Sequence, residues 1–512
     1  MNMANGMGAG WRRVAAPITV LIAVLALVLG CSRPPAEVAT EAVALPQAQG
    51  VITVAVLPLV AQGDIADASY LTDGLAEHLA GVLARMPGVT VVSTDSSFQF
   101  RDASDLNSVV GDKLGATHLV RGSMQRQDDK LRIELSLLRT SDGQPAWTQR
   151  YESPYSGLFA VQDEIATALA NALQVKWDAT DAQDDRPPGG SLQAYEAVLK
   201  GNEAYRGADI FSARQAVDAY RRAVEIDPDY AYAHARLAQA RIQQVTRFPL
   251  GAEQDREQGE QARRDAAAAM RLAPNSAESH RANAAWLGGI ALDPSGAMDA
   301  TRRALALAPQ DAGLLTTLAV QQTAFGQLRE AAETLRHALK LNPLSAPTLF
   351  SLGGVYLGMA DYPQAEHVLR QALALQPDIT LANALLAIAV FQQNRPAEAV
   401  EIARREPVPL WRSYALAMAH WANGERAASD AQLQVLVREH ADEGATQIAG
   451  IHAQRDDEDA VFHWLDVARK TGDPGIVEIR YMPFVSRYAE HPRFVALARE
   501  IGLVQQAVTK KD

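Results

Sequence analysis

The sequence predicts a multidomain chain, a small α+β domain followed by an all-α, right-handed superhelix of stacked helical hairpins. Three observations carry this. Pro228, Pro274, Pro309, Pro343 and Pro377 fall at intervals of 46, 35, 34 and 34 residues, and a fixed period near 34 marks a helical repeat array. Upstream, Val51 to Leu59 is an apolar run of mostly β-branched residues, and Leu131, Ile133, Leu135 and Leu137 alternate with Arg132, Glu134 and Ser136, which is sheet patterning. Apolar residues make up 48% of the chain but aromatics only 6%, so Ala, Leu and Val dominate and favour closely packed helices.

Composition also excludes. With 512 residues the chain is long enough for several domains, and 48 basic against 60 acidic residues give a net charge of -12. Such a chain has no bulk attraction to nucleic acid, which needs a basic face. One cysteine forbids an intrachain disulfide and any Cys-rich zinc site.

That cysteine ends the first element. Trp11-Arg12-Arg13 precede an apolar run of 17 residues, Val14 to Gly30, which contains Pro17 and leads into Cys31. Basic residues, an apolar core and a small residue form the layout of a secretory signal. Val28-Leu29-Gly30-Cys31 resembles the bacterial lipobox, departing from it at Leu29. The resemblance implies a signal peptide over residues 1–30, lipidation of Cys31, and a Pro/Ala/Glu-rich tether over 31–50. The alternative is an uncleaved amino-terminal helix anchor in the inner membrane. Either places the rest of the chain on the periplasmic side of a bacterial envelope. Ser32 after the lipid site favours the outer membrane.

Residues 51–177 read as strand (51–59), helix (70–86), strand (90–93), helix (105–114), strands 118–125 and 131–140 joined at Asp128-Asp129, strand 147–151, and a closing helix (158–175). This block resembles the TolB-like amino-terminal domain. The residues that match are Ala55-Val56-Leu57-Pro58, Asp73-Gly74-Leu75, Arg85-Met86-Pro87-Gly88-Val89, Leu114-Gly115-Ala116, Gly122-Ser123, Arg132-Ile133, Trp147, Arg150-Tyr151 and Phe159 to Glu164. The resemblance implies a non-catalytic accessory module, often fused behind a cyclase or a winged-helix domain.

An acidic, Pro/Gly-rich stretch, 178–191, reads as a linker. From 192 to 475 the pattern is that of tetratricopeptide (TPR) repeats. Ala331, Leu335, Ala338 and Pro343 recur as Ala365, Leu369, Ala372 and Pro377, and the same spacing holds at Ala216, Tyr220, Ala223 and Pro228 and at Ala297, Thr301, Ala304 and Pro309. Small residues let helices cross closely while large ones fill the gaps, and Pro closes the second helix. The second unit carries extra residues around Gln244 to Gly259, and the sixth loses its ending at Glu406-Pro407. Seven to eight pairs are expected, followed over 476–512 by a polar-faced carboxyl-terminal cap.

The family register points Thr316, Val320, Phe350, Leu357, Ile388 and Phe391 into the concave groove, a docking surface for an extended or helical segment of a partner protein. The other reading is that a tight curl, or the α+β domain folded back, buries them. Ala235, Gln239 and Arg281 stand where some TPR proteins grip a terminal carboxylate, which disfavours a chaperone-tail adaptor.

The search for chemistry finds no H-E-x-x-H, G-x-S-x-G, phosphate-loop or dinucleotide motif. Lys470-Thr471-Gly472 reads as a helix end, Asp456-Asp457-Glu458-Asp459 as a helix start, and His452 and His463 as packing or surface residues. No catalytic residue, metal ligand or cofactor is expected. The function this implies is a non-enzymatic, envelope-anchored scaffold that binds proteins. A regulatory or sensory accessory module is the alternative.

Overall fold

The computed structural model describes residues 52–62, 69–101, 108–177, 185–207 and 209–503. Residues 1–50, read above as a signal, Cys31 and a tether, lie outside them.

Six strands build one sheet: β1 (Ile52–Val56), β2 (Val60–Gln62), β3 (Val89–Val92), β4 (His118–Gln127), β5 (Lys130–Arg139) and β6 (Pro145–Pro154). Their order is β3-β1-β4-β5-β6, with β2 pairing parallel to β4. Strand β1 is parallel to both neighbours, while β4, β5 and β6 form an antiparallel meander. The expected strand over 51–59 is therefore shorter, and a second segment resumes the pairing after Pro58, which has no N–H to donate.

Alternation decides what each face buries. Val54 and Val56 join Leu131, Ile133, Leu135 and Leu137 against helices α1 (Ser69–Arg85) and α4 (Leu158–Ala172). Ala55 and Leu57 face the opposite side with Val110 and Leu114 of α3 (Ser108–Leu114), which follows the short α2 (Thr94–Ser97). The β4–β5 turn falls at Asp128-Asp129 as the spacing predicts, with Asp128 in the left-handed region at φ 53°. Gly122 is required by close approach, since a Cβ there would lie 2.0 Å from the Glu134 carbonyl oxygen.

Eight antiparallel helix pairs follow: α5/α6 (Leu192–Tyr205, Ile210–Ile226), α7/α8 (Ala231–Arg247, Ala252–Leu272), α9/α10 (Ala277–Gly289, Pro294–Leu307) and α11/α12 (Ala312–Ala324, Leu328–Leu341), then α13/α14 (Ala346–Gly358, Tyr362–Leu375), α15/α16 (Ala382–Phe391, Pro396–Ala403), α17/α18 (Pro409–Ala422, Arg426–Glu439) and α19/α20 (Ala445–Gln454, Glu458–Thr471). The periodic positions are the core. Ala331, Leu335, Ala338, Ala365, Leu369 and Ala372 are all fully buried. The extra residues of the second unit lengthen its helices, α8 reaching 21 residues. In the sixth unit α16 stops after 8 residues. Buried Glu406 then accepts the Leu381 amide at 3.1 Å, closing the start of α15 where the usual repeat ending is lost.

Two features add to the expectations. The stretch read as a linker is anchored over its described part: Asp185 Oδ2 pairs with His78 Nδ1 at 2.9 Å, and Arg186 grips Asp163 at 2.8 and 3.2 Å. The described part of the expected polar-faced cap, 476–503, also carries an apolar face. Ile476, Ile479, Met482, Val485, Phe494 and Leu503 are buried, because the segment turns back along the helix ends. Its path is marked by Met482 against Gly450, Phe484 against Phe391, Tyr481 against Gly358, Arg480 against Gly326, and Gly502 against Pro294.

Candidate functional site

The six residues expected to line an open groove divide into two sets. Val320 is half exposed, and Thr316 and Phe350 are partly covered. Leu357, Ile388 and Phe391 are buried, which corrects their assignment to an open docking wall. The returning carboxyl segment covers Phe391 and the end of α13 next to Leu357, whereas Ile388 lies on a helix buried along nearly its whole length. Phe484 stacks on Phe391 with ring centroids 6.3 Å apart, and the Tyr481 carbonyl lies 3.0 Å from where a Cβ of Gly358 would stand, next to Leu357. Thr316 is held by its own helix, donating to the Ala312 carbonyl at 2.9 Å, and meets Thr348 at 3.1 Å.

Toward the amino end, first helices of successive pairs carry a charged ladder. Arg236 Nη1 lies 3.4 Å from Glu278 Oε1, Arg281 Nε donates to Glu278 Oε2 at 3.1 Å, and Arg281 also pairs with Asp311. Gln239 donates to Glu278 at 2.7 Å. Burial pushes the Glu278 carboxyl up, but Arg281 and Arg236 outweigh it and hold it below its ordinary value. Arg281 is thus spent on internal pairing, and so is not free to meet an acidic partner.

The α+β domain closes the row of loops between repeats. Arg206 bridges Asp73 and Glu77 of α1, with Asp73 also bound by Arg101 at 2.8 Å. Gln310 meets the free edge of β3: its side chain donates to Val89 O at 2.8 Å and accepts from Val91 N at 3.3 Å. Ser93 N donates to Leu341 O at 2.7 Å, and Ser96 pairs with Asn342. The contacts of Gln310, Leu341 and Asn342 join positions more than 200 residues apart, and no local sequence signal announces them.

The remaining polar candidates have structural partners. Asp457 caps α20 by accepting the Ala460 amide at 3.2 Å, and Asp456 pairs with Arg487. Gly472 ends α20 in the left-handed region at φ 74°. His452 faces Asp457 at 3.2 Å, and His463 meets Trp464 edge-on. Among the described residues no three His, Cys, Asp or Glu side chains are grouped to hold a metal ion, and no helix is long and apolar enough to cross a membrane.

No family model matches the chain. It is 29% identical over 209 residues to putative adenylate cyclase 3 of Rhizobium meliloti (strain 1021), a match covering 40% of this chain and 35% of that protein. The chain therefore spans about a third of that relative's length. Among solved structures it is similar to PilF of Pseudomonas aeruginosa (20% identity, 44% of this chain and 98% of that one, TM-score 0.35). It is also similar to PilW, a type IV pilus biogenesis factor (17%, 42% and 92%, TM-score 0.35), and to YrrB, a TPR protein with a peptide-binding site (14%, 43% and 99%, TM-score 0.30). The repeat architecture itself rests on the eight helix pairs above.

Proposed function

We propose that this chain is a non-catalytic scaffold for protein partners, held at a bacterial envelope by its amino end. The observation that carries the reading is the helix stack from 192 to 471, whose two flanks are engaged by the chain's own α+β domain and carboxyl segment. Between them the inner helices still offer Val320, one turn after Thr316 on α11, and the part-covered Phe350 on α13, and this is the surface we assign to a partner segment. Phe391, and Leu357 beside Gly358, become available only if the carboxyl segment lifts away.

A photo-crosslinking residue in place of Val320, with Val437 as an exposed control on another helix, tests the assignment in cells. A discrete adduct from Val320, lost in Phe350→Asp and absent from Val437, is the expected result. Equal or absent crosslinking at both positions removes the reading. The anchor rests on the sequence around Cys31, and Cys31→Ser should shift the protein from the membrane to the soluble fraction; unchanged fractionation refutes it.

A regulatory module is the second reading. The similarity to a putative adenylate cyclase and the TolB-like pattern of residues 51–177 favour it. On that reading a small ligand raises the melting temperature while substitutions at Val320 and Phe350 change no interaction.

A further inference from the structure

The two outer strands of the sheet are treated differently. Strand β3 has its edge met by Gln310, whereas no other described strand pairs with the far side of β6. Seven of the ten β6 residues are exposed, and only Tyr151 is buried. Native sheets guard such an edge with prolines and charges. Here the prolines, Pro145 and Pro154, stand only at the ends.

The hydrogen-bond phase shows which groups face outward. Tyr155 N donates to Asp129 O at 2.6 Å, and this pair continues the register in which Tyr151 faces Ile133. Opposed residues in an antiparallel ladder alternate between exchanging hydrogen bonds and not doing so. Tyr151 and Ser153 therefore bond inward to β5, and the main-chain N–H and C=O groups of Arg150 and Glu152 point away from the sheet. Those same residues carry opposite charges on the wet face. Arg150 Nε donates to Glu134 Oε1 at 2.7 Å, and Arg132 Nε donates to Glu152 Oε1 at 2.9 Å.

We propose that β6 is a homodimerisation edge, pairing antiparallel with β6 of a second copy about a twofold axis at Tyr151. In that register Arg150 lies opposite Glu152 of the second copy, and both exchange main-chain hydrogen bonds through their outward groups. The charged pairs within each chain then join into rows of alternating sign across both chains. Moving the axis one residue either way sets Arg150 against Arg150 or Glu152 against Glu152, which like-charge repulsion disfavours. The edge is thus self-complementary in one register, and one sheet runs through both chains.

Sedimentation velocity of the full chain over about 1–100 μM reads the dimer directly. Arg150→Glu makes the edge wholly acidic and Glu152→Arg makes it wholly basic. Each alone should weaken self-association at least about tenfold, while an equimolar mixture should restore a dimer, because the acidic edge of one variant faces the basic edge of the other. A wild-type chain that stays monomeric, a dimer indifferent to both substitutions, or a mixture that does not recover overturns the proposal. Hydrogen exchange on the unaltered chain gives the second reading. The Arg150 and Glu152 amides should slow as concentration rises while the Tyr151 amide, already bonded to β5, does not change. Exchange at Arg150 and Glu152 that is independent of concentration also overturns it.

Discussion

Glu478 lies in the returning segment beside Asp473, whose carboxylate is committed to the Thr446 and Gly475 amides, both at 2.8 Å. Burial, and then the charge of Asp473, push the Glu478 carboxyl up to about 7 from the ordinary 4.5. The folded chain therefore keeps a proton that the unfolded chain has already lost, and stability falls as pH rises from 4.5 to 7. The full span amounts to at most about 3 kcal/mol. Glu478→Gln should flatten this slope, so that urea unfolding at pH 5 and pH 8 gives closer stabilities in the variant than in the wild type. An unchanged difference between the two pH values would show that Glu478 does not titrate in this window. Such groups are the least legible part of a sequence. The Ala and Leu positions of each repeat were readable because their period is fixed by helix geometry. Glu406 was visible only as a missing repeat ending, and the role of its carboxylate as an acceptor for the Leu381 amide depends on a loop 25 residues away.

At the scale of elements, strands and repeat helices followed their patterns to within a few residues, but the carboxyl segment did not. Its apolar residues, Ile476, Ile479, Met482 and Val485, fall three apart, yet Pro474, Pro483 and Pro492 break the stretch into short turns, so no helical face accumulates. The same breaks let it bend back along the array, and Phe484 takes a left-handed backbone at φ 67° as it does so. Phe494 on the last helix, α21 (Pro492–Glu500), is 1% exposed and anchors this return. Phe494→Ala should cost about 3 kcal/mol or more, the usual loss for a buried aromatic. If the segment is what covers the groove, the variant should also bind a hydrophobic dye, because Phe391 loses its cover. A variant as stable as the wild type that stays dark to the dye would mean the segment packs without Phe494.

At the scale of the whole molecule, the described residues pack as one compact unit, although the sequence reads as two domains and a linker. Each domain was legible from its own periodicity. Their union was not, because it is made by single side chains in loops, Gln310 and Asn342 on the array and Ser96 on the α+β domain, which follow no repeat. Polar joints of this kind stabilise modestly when intact and cost more when half-broken, since the orphaned group stays desolvated. Gln310→Ala removes the acceptor of the Val91 amide and the donor to Val89, and Asn342→Ala removes the partner of Ser96. Each loss should cost about 1–3 kcal/mol at the joint while leaving both hydrophobic cores intact. Calorimetry should therefore show one cooperative transition in the wild type and two in the double variant, the sheet and the array melting apart. A single transition merely shifted to lower temperature would show instead that the ion pairs of Arg206 with Asp73 and Glu77 suffice to couple the domains.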